Sequence, residues 1–190
     1  FILVIFPGCQ PAPIVPAEQV TPIISDLPQK AAIWIFVDTR HRTLTVFEGE
    51  KIVRVFTPAA VGSGGGGIKK NRGDQITPTG RFTVSSIYRS KRFGWFILLN
   101  YPSLEYAYRA RESGVIDAKV LQKIELAHRN GIVPPQDTAL GGYIGIHGVG
   151  KGSLKVHRLL DWTDGCIALD NGQIEELTKL VTKSTPVEIK

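Results

Sequence analysis

Two segments decide what the sequence predicts about fold and function. They read Gly-Tyr-Ile-Gly-Ile-His-Gly at residues 142–148 and Asp-Trp-Thr-Asp-Gly-Cys-Ile-Ala-Leu at residues 161–169. The apolar residues in these segments predict two short buried strands, with His147 at the end of the first and Cys166 in a tight turn at the start of the second. A thiol attacks only as a thiolate, and histidine is the side chain best suited to take its proton near neutral pH. Gly165 lets the backbone approach closely before the sulfur, and the amides of Gly165 and Cys166 are candidate donors to an oxyanion.

Further motifs accompany this pair. Gly-Asp-Gln-Ile-Thr-Pro-Thr-Gly-Arg-Phe stands at residues 73–82, Leu-Gly-Gly precedes the histidine strand at residues 140–142, and Thr163 and Gly165 precede the cysteine. Together with the C-terminal segment 171–189, and in this order, these motifs resemble the L,D-transpeptidase catalytic domain, the YkuD-type family. The resemblance covers about residues 31–190. It implies a mainly β (α+β) fold, with a mixed β sheet or sandwich, a helical insert and a C-terminal helix.

The resemblance also implies a reaction. It is acyl transfer on peptidoglycan stem peptides through a thioester on Cys166, with His147 as the base and no metal or other cofactor. The backbone carbonyl of Gly148 would orient the imidazole, and Gly165 would contribute to the oxyanion site. Thr163 would either brace the turn or donate to the substrate, and we prefer bracing.

Two positions depart from the family's commoner motif. Asp164 stands two residues before the cysteine, where histidine is usual, and Ala168 stands two residues after it, where arginine or asparagine is frequent. Secondary roles in proton handling or carboxylate binding therefore stay open, and Asp164 is a candidate substrate contact. Tyr101 and Arg109 are further candidate contacts for a stem-peptide carboxylate, or alternatively ordinary surface residues.

The same residues leave other functions open. If water instead of an amine resolves the thioester, the activity is that of an L,D-carboxypeptidase or endopeptidase. A peptidoglycan-binding module without catalysis would require an unreactive Cys166. A zinc site of His147, His157 and Cys166 would give a metal hydrolase, although no recognised ligand spacing supports it.

Composition and charge narrow the class of protein. The chain has 190 residues, of which 43% are hydrophobic and 21% charged, as expected for one globular domain with a tail. The net charge of +6 favours a solvated surface with mild attraction to an anionic cell envelope. The densest basic cluster is Arg89-Ser90-Lys91-Arg92, which is too sparse to indicate a nucleic-acid partner. Two cysteines, Cys9 and Cys166, are too few for a disulfide scaffold, so we expect Cys166 to be a free thiol.

The first 30 residues predict a leader followed by a linker. Residues 1–9 read Phe-Ile-Leu-Val-Ile-Phe-Pro-Gly-Cys, which resembles the end of a secretion signal in which Cys9 would carry a lipid anchor. Five prolines between positions 11 and 28 predict an extended spacer. We therefore expect a residual signal and Pro-rich linker at residues 1–30, a catalytic domain at residues 31–190, and export to the periplasm or cell envelope.

Local patterns predict the remaining elements. Short apolar runs separated by tight turns predict an antiparallel sheet at the start of the domain, and further strands follow it. Helical spacing at residues 104–111 and 117–129 predicts an insert that forms either a lid or wall of the substrate groove or simple scaffold. Asp170 or Asn171 is expected to cap a helix running to about Thr182. The predicted strands are 31–38, 43–47, 51–57, 81–88, 95–100 and 186–189.

The Gly-rich segment 62–67 invites comparison with a phosphate-binding loop. No Gly-Lys-Ser/Thr sequence follows it, and residues 71–74 are a poor opening for a helix. We therefore predict a mobile loop without a ligand.

Overall fold

A computed structural model of the protein describes residues 32–190. The predicted leader, the Pro-rich linker and Cys9 lie outside the described residues. No helix among residues 32–190 combines the length and apolar character needed to span a bilayer.

Ten strands and four helices make up the described domain. The strands are β1 (Ile33–Asp38), β2 (Thr43–Glu48), β3 (Lys51–Phe56), β4 (Gly66–Gly67), β5 (Thr77–Pro78), β6 (Gly80–Ser90), β7 (Gly94–Leu99), β8 (Gly145–Gly148), β9 (Ile167–Leu169) and β10 (Pro186–Ile189). The helices are α1 (Leu104–Glu112), α2 (Ala118–Arg129), α3 (Leu154–Leu159) and α4 (Asn171–Leu180). Of the described residues, 33% lie in strands and 23% in helices, so the prediction of a mainly β fold is confirmed.

Eight of the strands form one mixed sheet in the order β3-β2-β1-β10-β6-β7-β8-β9. The three N-terminal strands are antiparallel, as predicted. The C-terminal strand β10 lies inside the sheet, parallel to β1 and antiparallel to β6, and so joins the N-terminal hairpins to the rest. At the far edge of the sheet, β8, which carries His147, pairs in parallel with β9, which begins directly after Cys166.

The long strand β6 is shared by both halves of the sheet. Its first residues pair with β10 and its later residues pair with β7, and the register shifts between Val84 and Ser86. Such a bulge bends a strand and increases its twist. The main core therefore draws buried residues from both halves, including Ile35, Phe82 and Ile146.

Side-chain caps begin both helices of the insert. Ser103 caps α1 and Asp117 caps α2, each side chain accepting a hydrogen bond from the backbone amide three residues later. The two helices bury a smaller cluster of their own, which includes Ala107, Ile116 and Ile124. Since this cluster is separate from the main core, the insert is a packed unit against one side of the domain.

The C-terminal helix α4 starts directly after β9. Asp170 is its N-cap, and Gln173 completes a reciprocal capping box with it. The helix ends at Leu180 and packs against β7 and β8, which lie beside the catalytic candidates.

The Gly-rich segment is tied to its neighbours more closely than the prediction of a loop suggests. Residues 62–67 are hydrogen-bonded on both sides: Gly62 bridges to Thr163, and β4 pairs in parallel with β5. Glycine is needed at position 62 because the backbones of the two segments lie in contact there. A Cβ added at Gly62 would lie 2.1 Å from the carbonyl oxygen of Gln75. The segment therefore serves as a support beneath the turn that carries the cysteine.

Candidate active site

The pairing of β8 with β9 brings the two predicted catalytic residues to one face of the sheet. His147 is opposite Ala168, and Cys166 comes two residues before Ala168 on the same strand path. Side chains two residues apart along a strand point to the same face. The sulfur makes no hydrogen bond to the imidazole, and instead donates to the backbone carbonyl of Tyr143 at 3.2 Å.

The imidazole of His147 is held in one orientation by its own neighbour. Its Nδ1 lies 2.8 Å from the carbonyl oxygen of Gly148. A carbonyl can only accept, so Nδ1 carries the proton and Nε2 has its lone pair free. This is the tautomer that a general base requires, and it matches the orienting role expected of Gly148.

Aromatic rings surround the same imidazole. Phe93 stacks on it at a centroid distance of 4.0 Å, Phe96 lies at 5.6 Å, and Trp162 meets it edge-on at 5.9 Å. The pKa of His147 is lowered to about 4. Burial among these rings is the main cause, Arg92 acts in the same direction, and the Gly148 carbonyl opposes them. His147 is therefore neutral at pH 7.

Glycine at position 145 makes this aromatic wall possible. A Cβ at Gly145 would lie 2.5 Å from the ring of Phe96 and 2.4 Å from the carbonyl oxygen of Ile97. Any side chain there would push Phe96 away from His147. The Gly-x-His spacing in the sequence is thus explained by packing as well as by chemistry.

Cys166 also rests in its neutral form. Burial raises the pKa of its thiol to about 11, and Asp164 raises it too, while the backbone amide of Gly145 and the ammonium of Lys69 act in the opposite direction. Within the described part of the chain Cys166 is a free thiol and is partly exposed. At rest the site therefore holds a thiol and a neutral imidazole, not a thiolate–imidazolium pair.

Thr163 braces the turn that presents the sulfur. Its buried hydroxyl donates to the carbonyl oxygen of Cys166 at 2.6 Å and accepts from the amide of Gly165 at 3.1 Å. The predicted use of the Gly165 amide in an oxyanion site is therefore wrong, because that amide already has an acceptor. Of the two amides proposed from the sequence, the one on Cys166 is left for this role.

Gly165 itself has a different purpose. Its φ of 128° lies in a region that side chains rarely adopt, and an added Cβ would lie 2.7 Å from the carbonyl oxygen of Ile76. The turn therefore presses against the segment that follows Asp74, and that segment helps to fix the position of Cys166.

A cavity of about 370 Å³ opens beside this turn. Its lining includes Tyr143, whose carbonyl oxygen accepts from the Cys166 thiol, and Asp164, two residues before the cysteine. Lys69, Arg72 and Gln136 line it as well. The predicted substrate contact Asp164 lies in this cavity, so it stays a candidate. The other lining residues are Gly73, Asp137, Gly141, Gly142 and Ile144.

A buried ion pair at the cavity wall was not anticipated from the sequence. Lys69 is 3% exposed, and its ammonium donates to the carboxylate of Asp74 and to the carbonyl oxygen of Ile76. Asp74 also accepts from the amides of Lys70, Asn71 and Ile76. Burial alone would raise the pKa of Asp74, but these donors hold it below its ordinary value. The Gly-Asp dipeptide in the motif at residues 73–82 was the available signal for this clamp.

Two predicted substrate contacts do not reach the site. Tyr101 is fully buried, with its hydroxyl donating to the carbonyl oxygen of Leu140, so its assignment to a substrate groove is wrong. Arg109 lies on the exposed face of α1 and pairs with Glu105. No hydrogen bond or ion pair of residues 32–190 joins Arg109 to Cys166 or His147, and its role stays a prediction.

His157, the third residue of the hypothetical zinc site, faces a different partner. Its Nδ1 accepts from the indole nitrogen of Trp162 at 3.4 Å, and the side chain is buried. Among residues 32–190, no three His, Cys, Asp or Glu side chains are grouped so as to hold a metal ion. Through Trp162, His157 instead supports the wall against which His147 packs.

Comparison with known families agrees with the fold. A family model described as the L,D-transpeptidase catalytic domain (YkuD) matches residues 32–189, which is nearly all of the described chain. A search of curated proteins finds no significant match.

Two solved structures illustrate the shared fold. The helical cell shape determining protein Pgp2 from Campylobacter jejuni aligns with a TM-score of 0.57 and 21% identity, over 85% of this chain and 48% of that one. Bd1075 from Bdellovibrio bacteriovorus aligns with a TM-score of 0.54 and 20% identity, over 88% of this chain and 50% of that one. The chain thus spans about half the length of these proteins.

Proposed function

Because the chain belongs to the L,D-transpeptidase catalytic-domain (YkuD) family, we propose that it is a cysteine enzyme that acts on peptidoglycan stem peptides. The observation that carries this proposal is the arrangement at the edge of the sheet. His147, with its Nε2 lone pair free, lies in β8, and Cys166 directly precedes the neighbouring strand β9, next to a cavity that Tyr143 and Asp164 help to line. A peptidoglycan substrate requires export, so we also propose that the protein works in the bacterial cell envelope.

The first half of the reaction forms a thioester. As Sγ of Cys166 attacks the carbonyl carbon of the third, L-centred stem residue, its proton passes to Nε2 of His147. The negative charge develops on the carbonyl oxygen, where the Cys166 amide would donate to it. The tetrahedral intermediate collapses with cleavage of the amide bond, and the terminal D-residue leaves as an amine after receiving the proton from His147. The acyl group is now attached to sulfur.

The second half resolves the thioester. An acceptor amine attacks the carbonyl carbon, gives its proton to His147, and displaces the sulfur, which recovers a proton as the thiol. The product is a crosslinked or anchored stem peptide. If water attacks instead, the product is a trimmed stem and the enzyme is a carboxypeptidase or endopeptidase.

Timing of the proton transfer follows from the resting state. With a thiol pKa of about 11, only about one molecule in 10⁴ holds a thiolate at pH 7. Proton transfer to His147 must therefore accompany the attack on the substrate, as in general base catalysis. Binding of the substrate would have to release the thiol from the carbonyl of Tyr143 and turn it toward Nε2.

The direct test compares products. Peptidoglycan from cells lacking L,D-crosslinks, incubated with the protein, is digested and analysed by mass spectrometry beside a Cys166→Ala sample. We expect L,D-crosslinked or trimmed muropeptides with the parent protein, and none with the variant. Crosslinks identify a transpeptidase, and trimmed stems identify the hydrolytic alternative. Equal products from both proteins, or no product from either, would contradict the proposal.

A further inference from the structure

Two segments of the domain carry basic residues and no acidic ones. The sequence has no Asp or Glu between residues 75 and 104, nor between 138 and 160. The turn between β6 and β7 falls in the first interval, and the loop before α3, with α3 itself, falls in the second. Both places carry exposed cations, which are Arg89, Lys91 and Arg92 in the turn, and Lys151, Lys155 and Arg158 in the second segment.

The two segments are in direct contact. A Cβ placed at Gly150 would lie 2.0 Å from the carbonyl oxygen of Arg92 and 3.1 Å from the Cα of Phe93. The six cations therefore belong to one continuous surface, which we call the basic face. No acidic residue of these two segments offsets their charge.

The second segment is also unusually apolar for an exposed surface. Every residue from 151 to 160 is exposed except His157, which points into the domain. Leu159 is 67% exposed and Leu160 58%, and Val156 shares their side of the helix at spacings of three and four residues. Leu154 is exposed as well.

This exposure is fixed by the fold and is not a frayed end. The guanidinium of Arg42 donates to the carbonyl oxygens of His157, Arg158 and Leu160, and so caps the C-terminal turn of α3. Ser153 caps its other end. The helix is held against the domain while its aliphatic side chains face solvent.

We propose that the basic face docks on the surface of an anionic lipid bilayer, with the aliphatic residues of α3 inserted among the headgroups. Exposed leucines beside lysine and arginine are the combination that interfacial helices use on anionic lipid. The two segments contain no carboxylate, and the adjacent Asp161 is paired with Arg42. Self-association through this face is disfavoured, because an isologous contact would oppose six cations to six cations. This proposal does not depend on the proposed enzymatic function.

Vesicle binding tests the aliphatic part. The full chain is mixed with vesicles of equal parts phosphatidylglycerol and phosphatidylcholine and sedimented. We expect Leu159→Glu to weaken binding by tenfold or more, since it places a carboxylate where a leucine inserts. Leu126→Glu, at a similarly exposed leucine on α2, is the matched control and should bind like the parent.

A charge-matched pair tests the electrostatic part. Lys155→Gln with Arg158→Gln should weaken binding about tenfold, whereas Lys119→Gln with Lys123→Gln, which removes two exposed charges from α2, should leave it nearly unchanged. Binding should also weaken as salt rises from about 50 to about 500 mM, and on vesicles of phosphatidylcholine alone. Circular dichroism checks that every variant is folded.

Several results would overturn the inference. They are no binding by the parent chain, equal binding to neutral and anionic vesicles, and equal loss in the α3 variants and their α2 controls. Analytical ultracentrifugation completes the test. A dimer that Leu159→Glu dissociates, without vesicle binding by the parent, would assign the face to a second copy instead.

Discussion

The two catalytic candidates occupy adjacent strands, but the protein holds them by opposite means. His147 is enclosed by the rings of Phe93, Phe96 and Trp162 and makes one hydrogen bond, to its neighbour's carbonyl. Cys166 sits in a turn fixed by hydrogen bonds through Thr163, and Asp164 of the same turn lines a cavity. One environment is apolar and closed, and the other is polar and partly open.

Both environments keep their residue neutral. Burial lowers the pKa of His147 to about 4 and raises that of Cys166 to about 11, so an ion pair at rest is strongly disfavoured. The difference between the two surroundings lies in access. The base is shielded from water, while the nucleophile is partly exposed. A substitution in one of the two surroundings should therefore disturb that catalytic residue and leave the other intact.

The largest effect should come from removing the base. His147→Gln keeps a polar side chain of similar size, but it cannot accept the thiol proton, so turnover should fall by about 10²–10⁴. Muropeptide product formed per minute is the measurement. His41→Gln, at an exposed histidine in the β1–β2 turn, is the control and should keep full activity. A loss of less than threefold in His147→Gln would remove His147 from the mechanism.

On the cysteine side, the largest loss of stability should follow Asp74→Asn. This change leaves the ammonium of Lys69 buried without a charged partner, and removing one member of a buried pair typically costs about 3–5 kcal/mol. The free energy of unfolding in urea is the measurement. Asp137→Asn breaks the exposed pair with Arg72 at the rim of the same cavity and should cost less than about 1 kcal/mol. Equal costs for the two variants would show that the Lys69–Asp74 pair does not stabilise the fold.

Low pH should destabilise the fold by protonating His147 among its aromatic neighbours. The folded-state pKa of His147 is about 4 and the unfolded value is near 6.5, so its stabilising contribution is complete above pH 6.5 and lost as pH falls toward 4. The loss amounts to about 3 kcal/mol. His157, whose pKa burial also lowers, adds to it. Urea unfolding at pH 7 and pH 4.5 should show a smaller difference for His147→Gln than for the parent, and an unchanged difference would refute this assignment.

A smaller effect should follow removal of one hydroxyl from the cysteine turn. Thr163→Val keeps the shape but loses two buried hydrogen bonds, which should cost about 1–3 kcal/mol and lower turnover. Thr163→Ser keeps the hydroxyl and should recover most of both. Thr178→Val, on the exposed side of α4, is the control and should cost less than about 1 kcal/mol. If Thr163→Val and Thr178→Val were equally stable, the bracing role would be wrong.

Local sequence patterns were sufficient to predict much of the fold. The longer strands, the cap at Asp170 and the helical insert follow from short-range chemistry that the surrounding structure does not override. The candidate pair His147 and Cys166 came from motifs, and the register of β8 with β9 places it on one face.

Features that depend on distant contacts could not be predicted in this way. The aromatic wall is assembled from Phe93 and Phe96 on one hairpin and Trp162 on another segment, so no local pattern marks it. Tyr101 is buried only because other segments cover it. The Gly-rich segment has the composition of a loose loop. Yet Gly62 lies against the backbone of Gln75 and Gly66 against the side chain of Thr39, too closely for a Cβ at either position. In each case tertiary packing decides what composition leaves open.

The resting state of Cys166 and His147 is the central claim, and the pH dependence of thiol alkylation tests it most directly. Iodoacetamide labelling is followed on the Cys166 peptide by mass spectrometry, in the parent and in His147→Gln. With a thiol pKa of about 11 and a neutral imidazole, the labelling rate should rise about tenfold per pH unit from pH 7 to pH 10, in both proteins alike. A rate in the parent that is already high and flat between pH 6 and 8, and that falls in His147→Gln, would show a preformed thiolate–imidazolium pair and contradict the account.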